Sequence, residues 1–258
     1  CIRDSRNVVK RRILLEDKYL PIVDHLSAAS PFIAVAYEKL YGKKAITINN
    51  VFSKNYLQGI NNRESHLPIR LFWFSQTIGK NRGIEDILEA MAGFETGTFK
   101  LTLLGQHDTI IKSYFETHFK KYGGGLSDLF FKGPVSLEEI FEISAANDIG
   151  LALEIPSKTN NQLCLANKIF TYLLAGNAII FSKTDSHELF WKQHKAIGYI
   201  YTSGNISELK KILEDIINNP DQLLHQRSSS LDLARNEYHW EKESELFLKQ
   251  INIVLNNA

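Results

Sequence analysis

Between residues 69 and 201 the chain alternates short apolar runs with longer amphipathic ones, and few folds satisfy that pattern. The apolar runs are IRLFWFS (69–75), FKLTLLG (99–105), LFFKG (129–133), DIGLALE (148–154), NAIIFS (177–182) and AIGYIY (196–201). Near-continuous apolarity over so short a length is expected of a strand covered on both faces. Between them, Ile84, Ile87, Leu88 and Met91 recur at i, i+3, i+4 and i+7, the spacing of one helix face. Residues 108–121, 137–145 (Leu137, Ile140 and Phe141 inward), 167–176 and the stretch around Ile206–Ile217 read as further helices. Six strands alternating with helices predict an α/β fold with a doubly wound, Rossmann-like parallel sheet. Such sheets bind ligands in the crevice at the carboxyl ends of their strands. That directs attention to the loops after Ser75, Gly133 and Glu154.

The flanks are less regular. Residues 14–41 read as mostly helical with a break near Ser30–Pro31, and KAITINNVF (44–52) as a short strand and turn. The polar stretch 53–68, with Gly59 and the pair Asn61–Asn62, reads as a linker. Two helices close the chain, the last with Trp240, Phe247, Ile251, Val254 and Leu255 as its apolar stripe. YGGGLS (122–127) reads as a flexible connection.

Thirty basic and 29 acidic residues leave a net charge of +1, which argues against a nucleic-acid-binding tail or bulk attraction to an anionic surface. Two cysteines, Cys1 and Cys164, are too few for a disulfide framework, so a reducing compartment is the simpler reading. No apolar run approaches the roughly 20 residues of a transmembrane helix. The expectation is a cytoplasmic protein, free or at the inner face of the membrane. Because the chain begins at Cys1 and not Met, it is expected to be a truncated piece of a longer protein.

Two segments carry candidate chemistry. SQTIGKNRG (75–83) follows a strand and opens a helix. Gly79 and Gly83 allow a ligand close to the backbone, and Lys80 and Arg82 add two cations beside helix amides, a combination suited to a diphosphate. The bland alternative is a solvated turn. In the second, residues 155–166 lead into NKIFTYLLAG (167–176), a helix with Ile169, Phe170, Leu173 and Leu174 on one face and Lys168, Thr171 and Tyr172 on the other. Asn160, Asn161 and Gln162 suit a hydroxylated ligand. Lys168 stands in the first turn, where a cation opposes the helix dipole at a cost of about 0.3–1 kcal/mol. A bound anion would offset that; so would solvent or a neighbouring carboxylate. The aromatic run Phe72–Trp73–Phe74 reads as core, and Asp185, His187 and Glu188 as an ordinary helix start. His107, His118, Asp108 and Glu116 lack a zinc spacing, so no metal is expected, and no G-x-S-x-G elbow supports acyl transfer.

In order, RLFWFSQTIGKNRGIEDILEAM, KLTLLGQ, LFFKGPVSLEEIFEISAANDIGLAL and LANKIFTYLLAGNAIIFSKTD resemble the donor-binding half of GT-B glycosyltransferases of the family 4 type. The resemblance covers roughly residues 68–258. It implies four parts: 1–52 as a remnant of an amino-terminal acceptor-binding domain, 53–68 as linker, 69–236 as a nucleotide-sugar-binding domain, and 237–258 as a helix crossing back. It implies a nucleoside-diphosphate sugar as donor, transfer to a glycan, lipid or small-molecule acceptor, and no metal. Arg82 and Lys168, with Gly79 and Lys80, would meet the diphosphate; Pro134, Val135, Asn167 and Thr171 the nucleoside; Asn160 and Asn161 the sugar. Departing nucleoside diphosphate would be stabilised electrostatically.

The sequence also departs from that pattern. Thr171 and Leu163 stand where the family carries glutamates, and one hydroxyl cannot accept two ribose hydrogen bonds as a carboxylate does. A non-catalytic GT-B-like binding module and a GT-B nucleotide-sugar epimerase are therefore the alternatives. The chain alone is expected to be incomplete and inactive.

Overall fold

The computed structural model describes residues 6–60, 67–156 and 159–256. The middle of the expected linker, residues 61–66, lies outside the described residues. Helix α1 (Arg6–Tyr19) is followed by strand β1 (Leu26–Ala28), helix α2 (Pro31–Tyr41) and strand β2 (Ala45–Thr47). The sequence reading of 14–41 as mostly helical needs correction here. Helix α1 starts earlier, and β1 interrupts the segment by pairing in parallel with β2. Three residues are too short to show an alternation, and only a distant partner makes them a strand. Helix α2 starts as expected at Ser30–Pro31: Ser30 Oγ accepts from the Ile33 amide at 3.2 Å, and proline occupies the first turn.

The main sheet then assembles from β3 (Ile69–Thr77), α3 (Ile84–Met91), β4 (Phe99–Gln106), α4 (Thr109–Lys121), β5 (Leu129–Lys132), α5 (Leu137–Ala145), β6 (Ile149–Ala152), the short α6 (Thr159–Leu163), α7 (Asn167–Ala175), β7 (Ala178–Ser182), α8 (Asp185–Gln193) and β8 (Gly198–Tyr201). Helices α9 (Ile206–Asn218), α10 (Pro220–Asn236) and α11 (Trp240–Asn256) complete the chain. The six strands lie in the order β5-β4-β3-β6-β7-β8, and every pairing is parallel. This is a doubly wound order whose direction reverses between β3 and β6, where Leu71 meets Ile149.

Alternate residues of each strand feed opposite cores. Leu71, Trp73, Leu101 and Leu103 pack with Ile84, Ile87, Phe115 and Leu213 on one face, while Phe72, Phe170, Leu173 and Phe181 pack on the other. At the amino end of β6, Asp148 accepts from the Arg70 amide at 2.9 Å and pairs with buried Arg227 at 3.2 Å. A buried pair with this many hydrogen bonds fixes the foot of the sheet, opposite the strand ends where a ligand belongs.

Three local readings change. Gly124 is held in tight contact, since a Cβ there would stand 2.2 Å from the Phe119 ring. YGGGLS is thus a packed turn, with a 3₁₀ turn at Leu126–Asp128. Helix α7 is buried all round from Ile169 to Ala175, including Thr171 and Tyr172, which the sequence assigned to a polar face. It lies over the sheet with α5 and α10 packed against it, and the Tyr172 hydroxyl donates to the Leu151 carbonyl at 3.2 Å. Helix α11 is the reverse: Trp240, Phe247, Ile251 and Leu255 of its apolar stripe are exposed, and its buried residue is Glu243. Hydrogen bonds anchor it instead. Glu243 accepts from the Asn49 side chain at 2.6 Å, and Glu241 from Ser53 Oγ at 2.6 Å.

Candidate functional site

In doubly wound sheets ligands bind where the strand order reverses, here above the carboxyl ends of β3 and β6, and the two loops singled out by sequence leave the sheet at those two strands. The loop after β3 is shaped by backbone. Asn81 and Gly83 both take positive φ, 59° and 79°. Gly83 caps α3 in this left-handed conformation without a side-chain hydrogen bond. A Cβ there would also stand 3.0 Å from Leu153 Cβ, on the chain leaving β6. The turn is secured by Glu85, which accepts from the Asn81 amide at 3.0 Å. Arg82 is half-buried, and its guanidinium donates to Ser75 Oγ at 2.9 Å. Lys80 points elsewhere: its ammonium lies 4.0 Å from the centroid of the Tyr114 ring on α4.

On the opposite side, α7 begins at Asn167 after Ala166, again with no side-chain cap. Helices α2, α4, α5, α8 and α9 all start from a capping side chain (Ser30, Asp108, Ser136, Thr184 and Asn205). Helix α10 lacks one too, but opens on Pro220, which has no amide hydrogen to satisfy. The two helix starts flanking the crevice thus keep first-turn amides that no side chain has claimed, and such amides suit an anion.

Lys168 has a partner in the protein. Its ammonium lies 3.4 Å from Glu154 Oε1 and 5.0 Å from the centroid of the Trp73 ring, with 11 % of its side chain exposed. The pair accounts for a lysine in the first turn of a helix without a bound anion, so of the offsets read from sequence the structure supplies the carboxylate. Burial holds the Lys168 pKa below the usual lysine value; Glu154 raises it, and the nearby Arg82 guanidinium lowers it further. Two cations from opposite loops therefore act on one another across the crevice.

Behind Glu154 is a buried hydrogen-bonded support. Ser182 Oγ accepts from the Glu154 amide at 2.6 Å and donates to the Glu154 carbonyl at 2.7 Å. The Ser182 carbonyl accepts from His187 Nδ1 at 2.8 Å. With Nδ1 donating, His187 Nε2 is unprotonated, and among the described residues it has no hydrogen-bond partner. Burial pushes the His187 pKa down to about 4, so the ring is neutral near pH 7. Sequence reasoning missed Glu154, Ser182 and His187 as a group. The available signal was Glu154 itself, a carboxylate ending an apolar parallel strand, where the crevice rule already pointed.

The other candidates are placed as follows. Asn160 is exposed on α6, whereas Asn161 Nδ2 donates to the Ile155 carbonyl at 2.9 Å. Gln162 bridges the Pro156 carbonyl and the Asp185 amide, both at 3.1 Å. Asn167 is exposed beside Lys168, and Thr171 is buried in α7. Pro134 is exposed and Val135 half-buried against the second core, beyond the end of β5 at the sheet edge. Gly79 lies in the β3 loop near Arg82. Among the described residues no group of three or more His, Cys, Asp or Glu side chains could hold a metal, and no helix is long and apolar enough to cross a membrane.

No family model matches the chain, and no curated protein matches it in sequence. Solved structures do match in shape. HepE of Anabaena, determined with UDP and glucose, superposes with a TM-score of 0.77 at 15% identity over 96% of this chain and 68% of its own. Sucrose-phosphate synthase of Thermosynechococcus elongatus gives 0.77 at 16% identity over 96% and 63%. A glycosyltransferase of Rickettsia africae gives 0.77 at 13% identity over 100% and 69%. The chain thus spans 63% to 69% of the length of these three structures, and 47% of the length of TarM, which it also matches. Its six-stranded parallel sheet, with the strand order and helices described, is the Rossmann-like fold of GT-B glycosyltransferases.

Proposed function

We propose that this chain binds a nucleoside-diphosphate sugar in the crevice between the β3 loop and the start of α7, and that it serves as the donor-binding part of a glycosyltransferase. The observation that carries the reading is that both cations are anchored towards the carboxyl end of β3, the Arg82 guanidinium on Ser75 Oγ at 2.9 Å and the Lys168 ammonium 5.0 Å from the centroid of the Trp73 ring. Two cations and two uncapped helix starts around one crevice match a diphosphate better than any neutral ligand. Gly79 would let the phosphates approach the backbone, Asn167 and the 134–135 turn would face the nucleoside, and exposed Asn160 the sugar. As the sugar–phosphate bond breaks, negative charge grows on the leaving diphosphate. Arg82 and Lys168 would stabilise it most strongly at that stage, without a metal. The matching HepE structures were determined with UDP and UDP-glucose, which favours a uridine nucleotide as the first probe.

A non-catalytic binding module is the second reading. It is favoured by buried Thr171 and by Leu163, whose carbonyl accepts from Ser30 and Ser186 hydroxyls. A thermal-shift series with UDP, GDP, ADP and UDP-glucose tests the site. At least one should raise the melting temperature, and Arg82→Ala or Lys168→Ala should abolish the rise. No shift with any of the four sinks the donor site. A labelled donor then separates the two readings, because only a transferase yields a new glycoside.

A further inference from the structure

A carboxylate occupies the mouth of the same crevice that would receive a diphosphate, and it is held there firmly. The Glu154 main chain is clamped on both its amide and its carbonyl by Ser182 Oγ, at 2.6 and 2.7 Å. Ser182 is in turn held through its carbonyl by His187, and both residues are fully buried. The Glu154 side chain, 27 % exposed, extends from this support to Lys168 at 3.4 Å. Lys168 has little freedom of its own: its stem is enclosed and its ammonium lies over the Trp73 ring.

We propose that Glu154 is a positioning residue for the donor site: its carboxylate holds the Lys168 ammonium charged at the mouth of the crevice and yields it to the diphosphate when the donor binds. The inference rests on the donor-site reading above and adds an exchange of anions to it. The groups facing Lys168 are Glu154 at the end of β6, Arg82 before α3, Cys164 after α6 and buried His187 on α8. Burial, Arg82 and the positive end of α7 all disfavour the ammonium, whereas Glu154 favours it. Without that carboxylate Lys168 gives up its proton at lower pH, and a neutral amine is a poor ligand for a diphosphate. The same carboxylate also competes with the diphosphate for the ammonium. Removing its charge therefore has two effects of opposite sign, separated by pH, and a side chain of purely structural role produces neither.

The experiment pairs side-chain NMR titration of Lys168 with calorimetric titration of UDP, using the full chain, Glu154→Gln and Glu154→Asp. In Glu154→Gln, Lys168 should titrate at lower pH than in the unaltered protein. UDP should bind about fivefold more tightly near pH 6.5, because it no longer competes with the carboxylate for the ammonium, and lose affinity more steeply towards pH 9. Glu154→Asp keeps the charge, and should retain the unaltered protein's pH profile even if Glu154→Gln fails to fold. An unchanged Lys168 titration in Glu154→Gln overturns the positioning role, as does a UDP profile parallel to that of the unaltered protein. The NMR titration needs no nucleotide. If UDP binds none of the three proteins, the donor-site reading and the exchange both fall, while the titration still decides whether Glu154 holds Lys168.

Discussion

The two sides of the crevice present similar charges on different foundations. On the β3 side, Arg82 rides a loop whose shape comes from two residues at positive φ, and its partner is the neutral hydroxyl of Ser75. On the α7 side, Lys168 is desolvated, paired with a carboxylate, and backed by Ser182 and His187 at zero exposure. Arg82 can leave its hydrogen bond to a neutral hydroxyl at a cost of about 1.5–3 kcal/mol, that of a bond with one charged partner. Lys168 can change partners only by exchanging one anion for another. One side should therefore answer to changes in backbone conformation, the other to pH and to core packing.

The largest way to break this comparison is acid. Buried His187 has its pKa lowered to about 4 from the ordinary 6.5, so the unfolded chain takes up the proton first. The associated stability is fully present above pH 6.5, is lost as pH falls towards about 4, and changes no further below that. The shift corresponds to roughly 3 kcal/mol. Urea unfolding between pH 7 and 4 should show His187→Gln losing less stability on acidification than the unaltered protein, by about that amount. Coincident pH dependences would remove His187 from the support of Glu154.

Packing beneath α7 gives a somewhat smaller effect. A Cβ at Gly150, on β6, would stand 2.2 Å from the Tyr172 ring. Gly150→Ala should cost about 2–3 kcal/mol in urea unfolding, the penalty of overpacking a core that cannot give way. By lifting α7 it should also weaken UDP binding, and an unchanged midpoint would show that α7 can shift freely. The smallest effect belongs to the β3 side. Gly83→Ala places a Cβ at φ 79° and 3.0 Å from Leu153 Cβ, and should cost about 1–2 kcal/mol in stability. It should disturb Arg82, whose guanidinium lowers the Lys168 pKa, and so let Lys168 keep its proton to slightly higher pH. An unchanged Lys168 titration in this variant would mean that the two sides do not act on one another.

Much of the fold was legible because it is local. Each of the six main strands falls within or beside an apolar run read from the sequence, and helices at 84–91, 109–121 and 137–145 follow their periodicity. What failed to show was burial set by distant neighbours. Tyr172 and Thr171 read as a polar face, yet α7 is enclosed by the sheet, α5 and α10. The stripe of α11 reads as a core seam, yet the helix is tied down by Glu241 and Glu243 while its apolar residues stay exposed. A hydrophobic pattern reports which face of a helix is apolar, not how many neighbours that helix will have.

The candidate site divides in the same way. Arg82 and Lys168 were readable separately, one beside glycines after a strand and the other as a cation in a helix's first turn. Their relation was not, because it depends on the strand order β5-β4-β3-β6-β7-β8. The sequence by itself determined the α/β class, the strands of the main sheet and the strand ends where ligands bind, since these follow from short-range periodicity and turn chemistry. Only the tertiary structure decided that β3 and β6 are neighbours and that Glu154 is the counter-ion of Lys168. It also decided that Ser182 and His187 support that carboxylate. Pairings between distant segments are chosen by how the whole sheet buries its faces, and no local pattern encodes that choice.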